Sequence, residues 1–230
     1  GERGLGQDRL ADEGREQDQE GRDDIGHHVA QHDTGMAEAQ CPRLEVPENP
    51  ALPRGRKVAL NVAWLPATNE GAETEDPVFF LAGGPGQSAV EIWPAIDAAF
   101  RDVRKQRHVV LVDQRGTGKS NPLACRDEQG KYAYGETQDT SADGAVAFAR
   151  RCAEKLQADP RFYTTTDAIR DLDAVREALG ADKINLVGGS YGTRVAQQYA
   201  MRYPQHTRSL VLDGVVPNEL VLGSEHPGNL

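Results

Sequence analysis

A sharp turn between a strand and a helix constrains the fold of this chain more than any other segment. The turn reads G-x-S-x-G, with Gly188, Ser190 and Gly192 at the fixed positions. The apolar run 183–187 precedes it, and residues 193–203 follow with apolar side chains at the three- and four-residue spacing of a helix. A turn this tight strains the serine backbone, so the fixed positions on either side, Gly188 and Gly192, must carry almost no side chain. The segment therefore predicts a strand, a strained serine and a helix, in that order.

The same turn predicts the chemistry of Ser190. On such a turn the hydroxyl stands clear of the sheet, and the N-terminus of the next helix lies beneath the negative charge that forms during attack on a carbonyl. The pentapeptide alone could arise by chance, since the chain has 24 glycines. The strand before it and the helix after it supply the context that the motif requires. We therefore interpret Ser190 as a candidate catalytic nucleophile, and Gly188 and Gly192 as the glycines that make the turn possible.

Strand-like and helix-like segments alternate along the chain. Periodicity predicts strands near 57–65, 78–82, 108–113, 183–188 and 209–213. It predicts helices over 143–156, 164–180 and 193–203, and another whose face carries Ile96, Phe100 and Val103. The alternation within 57–65 predicts a half-buried strand, and proline-rich residues 47–53 predict a loop. This order is typical of an α/β fold, with a mainly parallel sheet and helices on both faces.

Composition and charge exclude several classes of protein. The formal net charge is −10, and residues 1–40 hold eleven acidic residues, four arginines and no aromatic residue. We therefore predict a disordered acidic tail there. No basic stripe indicates nucleic-acid binding, and no apolar run reaches the 18 residues that a membrane-spanning helix needs. We predict no metal site either, because the clustered tail histidines lack a partner ligand and a stable helix: His27, His28 and His32.

Two loops that contain glycine follow predicted strands. Residues 82–88 include three glycines and a proline, which predict a tight loop with exposed N–H groups, although an ordinary strand–helix turn would also explain them. Segment 113–120 imitates a phosphate-binding loop, because G-K-S follows a strand. The phosphate-loop pattern needs glycine where Asp113 stands, and Pro122 occupies a position where the helix should begin. We therefore predict no nucleotide site.

Three segments, in their order along the chain, resemble the prolyl aminopeptidase and tripeptidyl aminopeptidase branch of the α/β-hydrolases: LAGGPGQSA, VLVDQRGTGKSNPLAC, and INLVGGSYGTR followed by LVLDGVVP. The resemblance covers about residues 41–222. It implies an α/β-hydrolase fold and a serine peptidase that removes residues from peptide N-termini without a cofactor, although related members hydrolyse esters or amides. It also implies that Ser190 is the nucleophile and that the backbone N–H groups of Gly84 and Tyr191 are the oxyanion donors. Ala82 stands where many relatives carry histidine, a change that leaves the backbone donors in place.

The resemblance is incomplete at the end of the chain. In this fold the catalytic residues run in the order serine, acid, histidine, and the family carries the last two on strands that follow a lid. We therefore expect a C-terminally truncated chain, with 41–214 as the N-terminal part of the hydrolase core and 215–230 as the start of a lid or cap region. Asp213 and His226 are weak candidates for the acid and the histidine. We interpret Asp213 as a structural turn residue and His206 as an ordinary surface residue.

Two classes of function stay open at this point. The first is a serine hydrolase that acts on a peptide or another small acyl substrate. The second is a non-catalytic α/β-hydrolase-like binding protein, which would keep the serine turn and lack the other catalytic residues. We expect residues 1–230 alone to show no measurable aminopeptidase turnover, because a serine hydroxyl needs an adjacent base to become a good nucleophile.

The cysteines bear on the cellular compartment. They stand at positions 41, 125 and 152, which is not a metal-binding spacing. Cys125 and Cys152 could form a disulfide in an oxidising compartment, or all three cysteines could be free thiols. A disulfide would imply an exported protein. No signal peptide is visible, but the first residue is glycine rather than methionine, so the localisation stays open.

Overall fold

The fold is built on one six-stranded sheet. The computed structural model describes residues 43–69, 71, 75–125 and 141–220. The strands lie in the order β1-β2-β4-β3-β5-β6. Strands β4, β3, β5 and β6 are parallel neighbours, whereas β1 and β2 join at one edge as antiparallel strands. Their bounds are Arg43–Pro47 for β1, Lys57–Leu65 for β2, Val78–Leu81 for β3, Val109–Val112 for β4, Ile184–Gly189 for β5 and Thr207–Asp213 for β6.

Four α-helices connect and flank these strands within the described residues. A side-chain oxygen at the N-cap of α1, α2 and α3 accepts a hydrogen bond from the first turn, which satisfies an amide that the helix itself leaves unpaired. The α-helices are α1 at Ala89–Ile96, α2 at Ala142–Lys155, α3 at Thr165–Ala178 and α4 at Tyr191–Arg202. Short 3-10 helices span Asp97–Phe100, Val103–Lys105, Pro160–Phe162 and Pro204–His206.

The sheet buries an apolar core on each face. Successive side chains of a strand point to opposite faces, so Phe79 and Phe80 of β3 belong to different cores. Phe79 packs in the core that α3 and α4 cover, together with Leu172 and Tyr199. Phe80 packs in the core that α1 covers, together with Trp93. The predicted α/β class, the mainly parallel sheet and the helices on both faces are confirmed.

Strand β1 was not predicted from the sequence. It pairs antiparallel with β2, with Leu44 opposite Leu60 and Pro47 opposite Lys57. The segment is only five residues long, and Val46 is the single side chain of the strand that is buried. A strand this short and this polar carries too little alternation to stand out from a loop. Because β1 ends at Pro47, the loop predicted over 47–53 begins one residue too early.

Two other predictions about elements were wrong. Strand β2 is not half-buried, because Asn61 and Ala63 on its second face are 7% and 2% exposed. It lies between β1 and β4, where both faces of the sheet are covered. The face marked by Ile96, Phe100 and Val103 does not belong to one helix, since α1 ends at Ile96 and two 3-10 helices follow. Pro94 inside α1 lacks the N–H that would continue the hydrogen-bond ladder. The predictions for residues 1–40 lie outside the described residues.

Candidate active site

Ser190 occupies the turn between β5 and α4, with its side chain exposed to solvent. Its backbone has φ +51° and ψ −120°, a conformation that costs a non-glycine residue about 1–3 kcal/mol. The surrounding backbone holds it there. The Ser190 N–H donates to the Asp213 carbonyl at 2.8 Å, and both the N–H and the hydroxyl of Thr193 donate to the Ser190 carbonyl, at 2.9 and 2.6 Å. The predicted order of strand, strained serine and helix is confirmed.

Gly188 and Gly192, two residues before and after Ser190, allow neighbouring backbone segments to approach one another closely. A Cβ atom built on Gly188 would lie 2.5 Å from the Gly192 carbonyl oxygen. One built on Gly192 would lie 2.1 Å from the carbonyl oxygen of Leu81, the last residue of β3. Both distances are far below van der Waals contact, whereas a Cβ on Gly189 would meet nothing within 4 Å. Gly188 and Gly192 are therefore needed for the first turn of α4 to pack against the ends of β5 and β3.

Residues 82–88, called the glycine loop below, run alongside Ser190. A Cβ atom built on Gly83 would lie 3.2 Å from the Ser190 Cβ, so this part of the loop passes next to the serine. Gly84 has φ +105°, in the region that favours glycine. Among the described residues, none accepts a hydrogen bond from the N–H of Gly84 or of Tyr191. The Tyr191 side chain is buried, with its hydroxyl 2.6 Å from Thr165 Oγ1. The site thus has an exposed serine beside two amides that the described protein leaves unpaired.

A buried ion pair lies close to the glycine loop. Arg115 and Asp171 form two hydrogen bonds of 2.6 Å, from Nε and Nη2 to the two carboxylate oxygens. Arg115 also donates to the carbonyl oxygens of Pro47, Glu48 and Phe162, so its guanidinium joins four segments of the chain. Burial raises the pKa of Asp171 to about 6, against the lowering effect of Arg115. Asp171 and Gly83 of the loop both line a cavity of about 20 Å³, which has room for about one water.

Sequence reasoning missed this ion pair. Its two residues are 56 positions apart, so no local pattern connects them. One signal was available. Asp171 stands between Ala168, Leu172 and Val175 on the apolar face of α3, where a carboxylate needs a buried partner.

The candidates for the acid and the histidine lie in different places. Asp213 ends β6 opposite Gly189, and it contacts the serine through its backbone carbonyl. His206 precedes β6 at the other end, about 20 Å of strand away from Asp213. The interpretation of His206 as an ordinary surface residue was wrong, because its Nδ1 lies 2.8 Å from the Asp173 carboxylate and its side chain is 24% exposed. His226 lies outside the described residues.

His108 is the other histidine in the described ranges. It directly precedes β4, so it also lies at the amino end of the parallel strands, whereas Ser190 follows the carboxyl end of β5. Its Nδ1 accepts a hydrogen bond from the Ala67 N–H at 3.1 Å, and its ring packs on Trp64. Neither described histidine therefore reaches the serine.

Cys125 and Cys152 form a disulfide, with a Cα–Cα distance of 5.4 Å that is typical of this bond. Of the two alternatives that the sequence leaves open, the disulfide rather than three free thiols is present. Cys125 is 4% exposed, and Cys152 lies on α2, none of whose described side chains is buried. The disulfide thus attaches a helix whose described side chains are exposed or half-buried to the loop that follows β4.

No helix in the described ranges is long and apolar enough to cross a membrane. Within those same ranges, no group of three or more histidine, cysteine, aspartate or glutamate side chains is arranged to hold a metal ion.

The chain resembles known proteins in sequence. Residues 76–228 match the family described as alpha/beta hydrolase fold. The chain is 32% identical to a tripeptidyl aminopeptidase of Streptomyces lividans over 77% of its own length, and 35% identical to the serine protease Hip1 of Mycobacterium tuberculosis over 78%. It spans about a third of the length of these relatives, 35% and 36%.

A solved structure agrees at the level of the fold. The epoxide hydrolase of Vigna radiata, in a mutant form, superposes with a TM-score of 0.50 at 18% identity, over 84% of this chain and 45% of that one. Such low identity shows the fold alone. With the match over residues 76–228 and the six-stranded sheet, the chain belongs to the α/β-hydrolase family.

Proposed function

We propose that this chain carries the nucleophile of a serine hydrolase, and that the enzyme is a peptidase that releases residues from peptide N-termini. One observation carries the proposal. Ser190 is exposed on a strained turn, and the N–H groups of Gly84 and Tyr191 have no acceptor among the described residues. An unpaired pair of amides beside an exposed hydroxyl is the arrangement that acyl transfer requires.

In the proposed reaction Ser190 Oγ adds to the carbonyl carbon of the substrate. The carbonyl oxygen becomes an oxyanion and accepts hydrogen bonds from the N–H groups of Gly84 and Tyr191. The N-terminus of α4 adds a favourable field there, because its first amides have no intrahelical acceptor. The C–N bond then breaks, the amine leaves with a proton, and water releases the acyl group from Ser190. Each oxyanion donor contributes about 10²–10³-fold to the rate in enzymes of this kind.

The proposal needs a base for the Ser190 hydroxyl. Neither His108 nor His206 supplies it, since both lie at the opposite end of the parallel strands. Asp213 and His226 stay weak candidates for the acid and the histidine, and a residue outside this sequence is the alternative. The Asp213 carbonyl already holds the Ser190 N–H, which favours a structural role for this residue.

The peptide substrate rests on the relatives rather than on the site. The two peptidases named above are 32% and 35% identical to the chain, which supports a peptide substrate. An esterase or amidase of the same fold would use the same serine and the same amides. A binding protein without catalysis would keep the turn and fail to react.

A fluorophosphonate probe tests the proposal on the intact gene product. We expect covalent labelling of the wild type, loss of labelling in Ser190→Ala, and full labelling in Ser209→Ala, a control in β6 whose hydroxyl bonds Asn185. Labelling that persists in Ser190→Ala would remove Ser190 as nucleophile. A folded wild type that neither reacts nor turns over substrate would favour the binding protein. A panel of N-terminal peptide amides and simple esters then separates a peptidase from an esterase.

A further inference from the structure

The segment that imitates a phosphate loop, residues 113–120, surrounds a buried carboxylate. We propose that Asp113 is a positioning residue for the reaction, and that it holds the C-terminal end of the glycine loop so that the Gly84 N–H stays aimed at the oxyanion. The inference rests on the proposed function. It assigns a role to segment 113–120, which takes no part in the roles proposed for Ser190, Gly84 and Tyr191.

Asp113 is 1% exposed, and its carboxylate accepts four hydrogen bonds. Its Oδ1 accepts from the Ser88 hydroxyl at 2.5 Å and from the Val90 N–H at 3.2 Å. Its Oδ2 accepts from the Asn61 side-chain amide at 2.8 Å and from the Lys119 N–H at 3.1 Å. The two oxygens therefore have separate tasks. One binds the end of the glycine loop and the start of α1, and the other binds β2 and its own loop.

The glycine of the motif fits closely against this carboxylate, and its serine binds Asn61, which also donates to the carboxylate. A Cβ atom built on Gly118 would lie 2.3 Å from Asp113 Oδ2 and 2.9 Å from the Ser88 hydroxyl, and Gly118 has φ +49°. Ser120 is fully buried, and its hydroxyl accepts from the Asn61 N–H at 2.8 Å. A phosphate loop offers its N–H groups to a bound anion, but here the Lys119 N–H binds a carboxylate of the chain itself. The motif is thus shaped around Asp113.

The position of Ser88 explains why this matters for the glycine loop. Ser88 is the last residue of the loop and the N-cap of α1, where its hydroxyl also accepts from the Glu91 N–H at 3.0 Å. The other end of the loop is fixed by β3, whose Leu81 pairs with Gly188. Between these two ends stand three glycines, which have more backbone freedom than other residues. Oxyanion donors act only if they are held in place before the reaction, so fixing Ser88 restricts where the Gly84 N–H can point.

The two carboxylate oxygens supply a test with a matched control. Ser88→Ala removes the side-chain bond on the loop side, and Asn61→Ala removes the one on the β2 side. If the Asp113 carboxylate were purely structural, the two variants would have the same kcat. With the intact protein, we expect Ser88→Ala to lower kcat for a peptide amide by about 10- to 100-fold, with KM within about twofold of wild type. We expect Asn61→Ala to leave kcat within about twofold and to lower only stability. Ser88→Thr, which keeps the hydroxyl, should recover most of the lost kcat.

Hydrogen–deuterium exchange of peptides over 82–90 gives a second readout, independent of turnover. We expect faster exchange in Ser88→Ala than in Asn61→Ala. Equal losses of kcat in the two variants, or unchanged kcat and unchanged exchange in Ser88→Ala, would overturn the inference. If Ser88→Ala does not fold, Asp113→Asn replaces it. Asparagine has one acceptor oxygen in place of two, so one pair of donors, Ser88 with Val90 or Asn61 with Lys119, must then face its amide N–H₂. A wild type inert to the fluorophosphonate probe refutes the proposed function and the catalytic part of the inference together. In that case exchange still decides whether Asp113 holds the loop.

Discussion

Three glycines around Ser190 give a graded prediction of stability, because they differ in what a methyl group would meet. Ordinary contact begins at 3.4 Å, and a Cβ on Gly192 would stand 2.1 Å from the Leu81 carbonyl oxygen. Helix α4 and strand β3 would have to separate by about 1.3 Å at that point. At Gly188 the nearest atom is the Gly192 carbonyl oxygen at 2.5 Å, which requires about 0.9 Å. At Gly189 there is open space.

These separations translate into free energies of unfolding. Forcing one extra carbon into a packed interior costs about 1–3 kcal/mol, and more where the neighbour is backbone that cannot rotate away. We expect a loss of about 3 kcal/mol for Gly192→Ala, even though alanine favours a helix, and about 2 kcal/mol for Gly188→Ala. Gly189→Ala should be neutral or stabilise by up to about 1 kcal/mol, because alanine restricts the unfolded chain.

Urea denaturation of the intact protein, followed by circular dichroism, measures all three variants against wild type. The expected order of stability is Gly189→Ala, Gly188→Ala, Gly192→Ala, from most to least stable. A Gly192→Ala variant within about 0.5 kcal/mol of wild type would refute the close approach of α4 to β3. A Gly189→Ala variant as unstable as Gly188→Ala would refute the steric reasoning itself.

Four further predictions concern stability, the disulfide and activity. Arg115→Met should cost about 3–5 kcal/mol, because it leaves Asp171 buried without a partner, and the double variant with Asp171→Leu should recover much of that loss in the same denaturation assay. Burial raises the pKa of Asp173, but the hydrogen bonds that it accepts lower the pKa below its ordinary value of 3.8. The stability from its ionised form is present above that pH and lost below it, so Asp173→Asn should lose about 1–3 kcal/mol at pH 7 and progressively less as the pH falls below about 4. Alkylation without reductant, followed by intact-mass analysis, should leave Cys125 and Cys152 unmodified, whereas two modified thiols would show that no bridge exists. The 230-residue polypeptide by itself should show no aminopeptidase turnover, and an ordinary enzymatic rate that disappears in Ser190→Ala would contradict this.

The elements that local periodicity could identify are those with a strong pattern. Strands β2 to β6 and helices α2 to α4 were located within about two residues of their bounds. Strand β1 was missed because Arg43–Pro47 is short and lies at the sheet edge, with one side exposed. Helix α1 was misjudged because spacing of apolar residues cannot distinguish one α-helix from an α-helix followed by 3-10 turns.

The sequence by itself determined the serine turn. Its requirements are steric and local, so the residues that satisfy them are neighbours in the chain: Gly188, Ser190 and Gly192. The tertiary structure decided what surrounds that turn. Arg115 meets Asp171 across 56 residues, and Ser88 meets Asp113 across 25. Such pairs depend on which loops the strand order brings to one edge of the sheet, and a buried carboxylate has no periodicity that would reveal its partner. Local sterics can be read along a chain, whereas long-range pairing requires the fold.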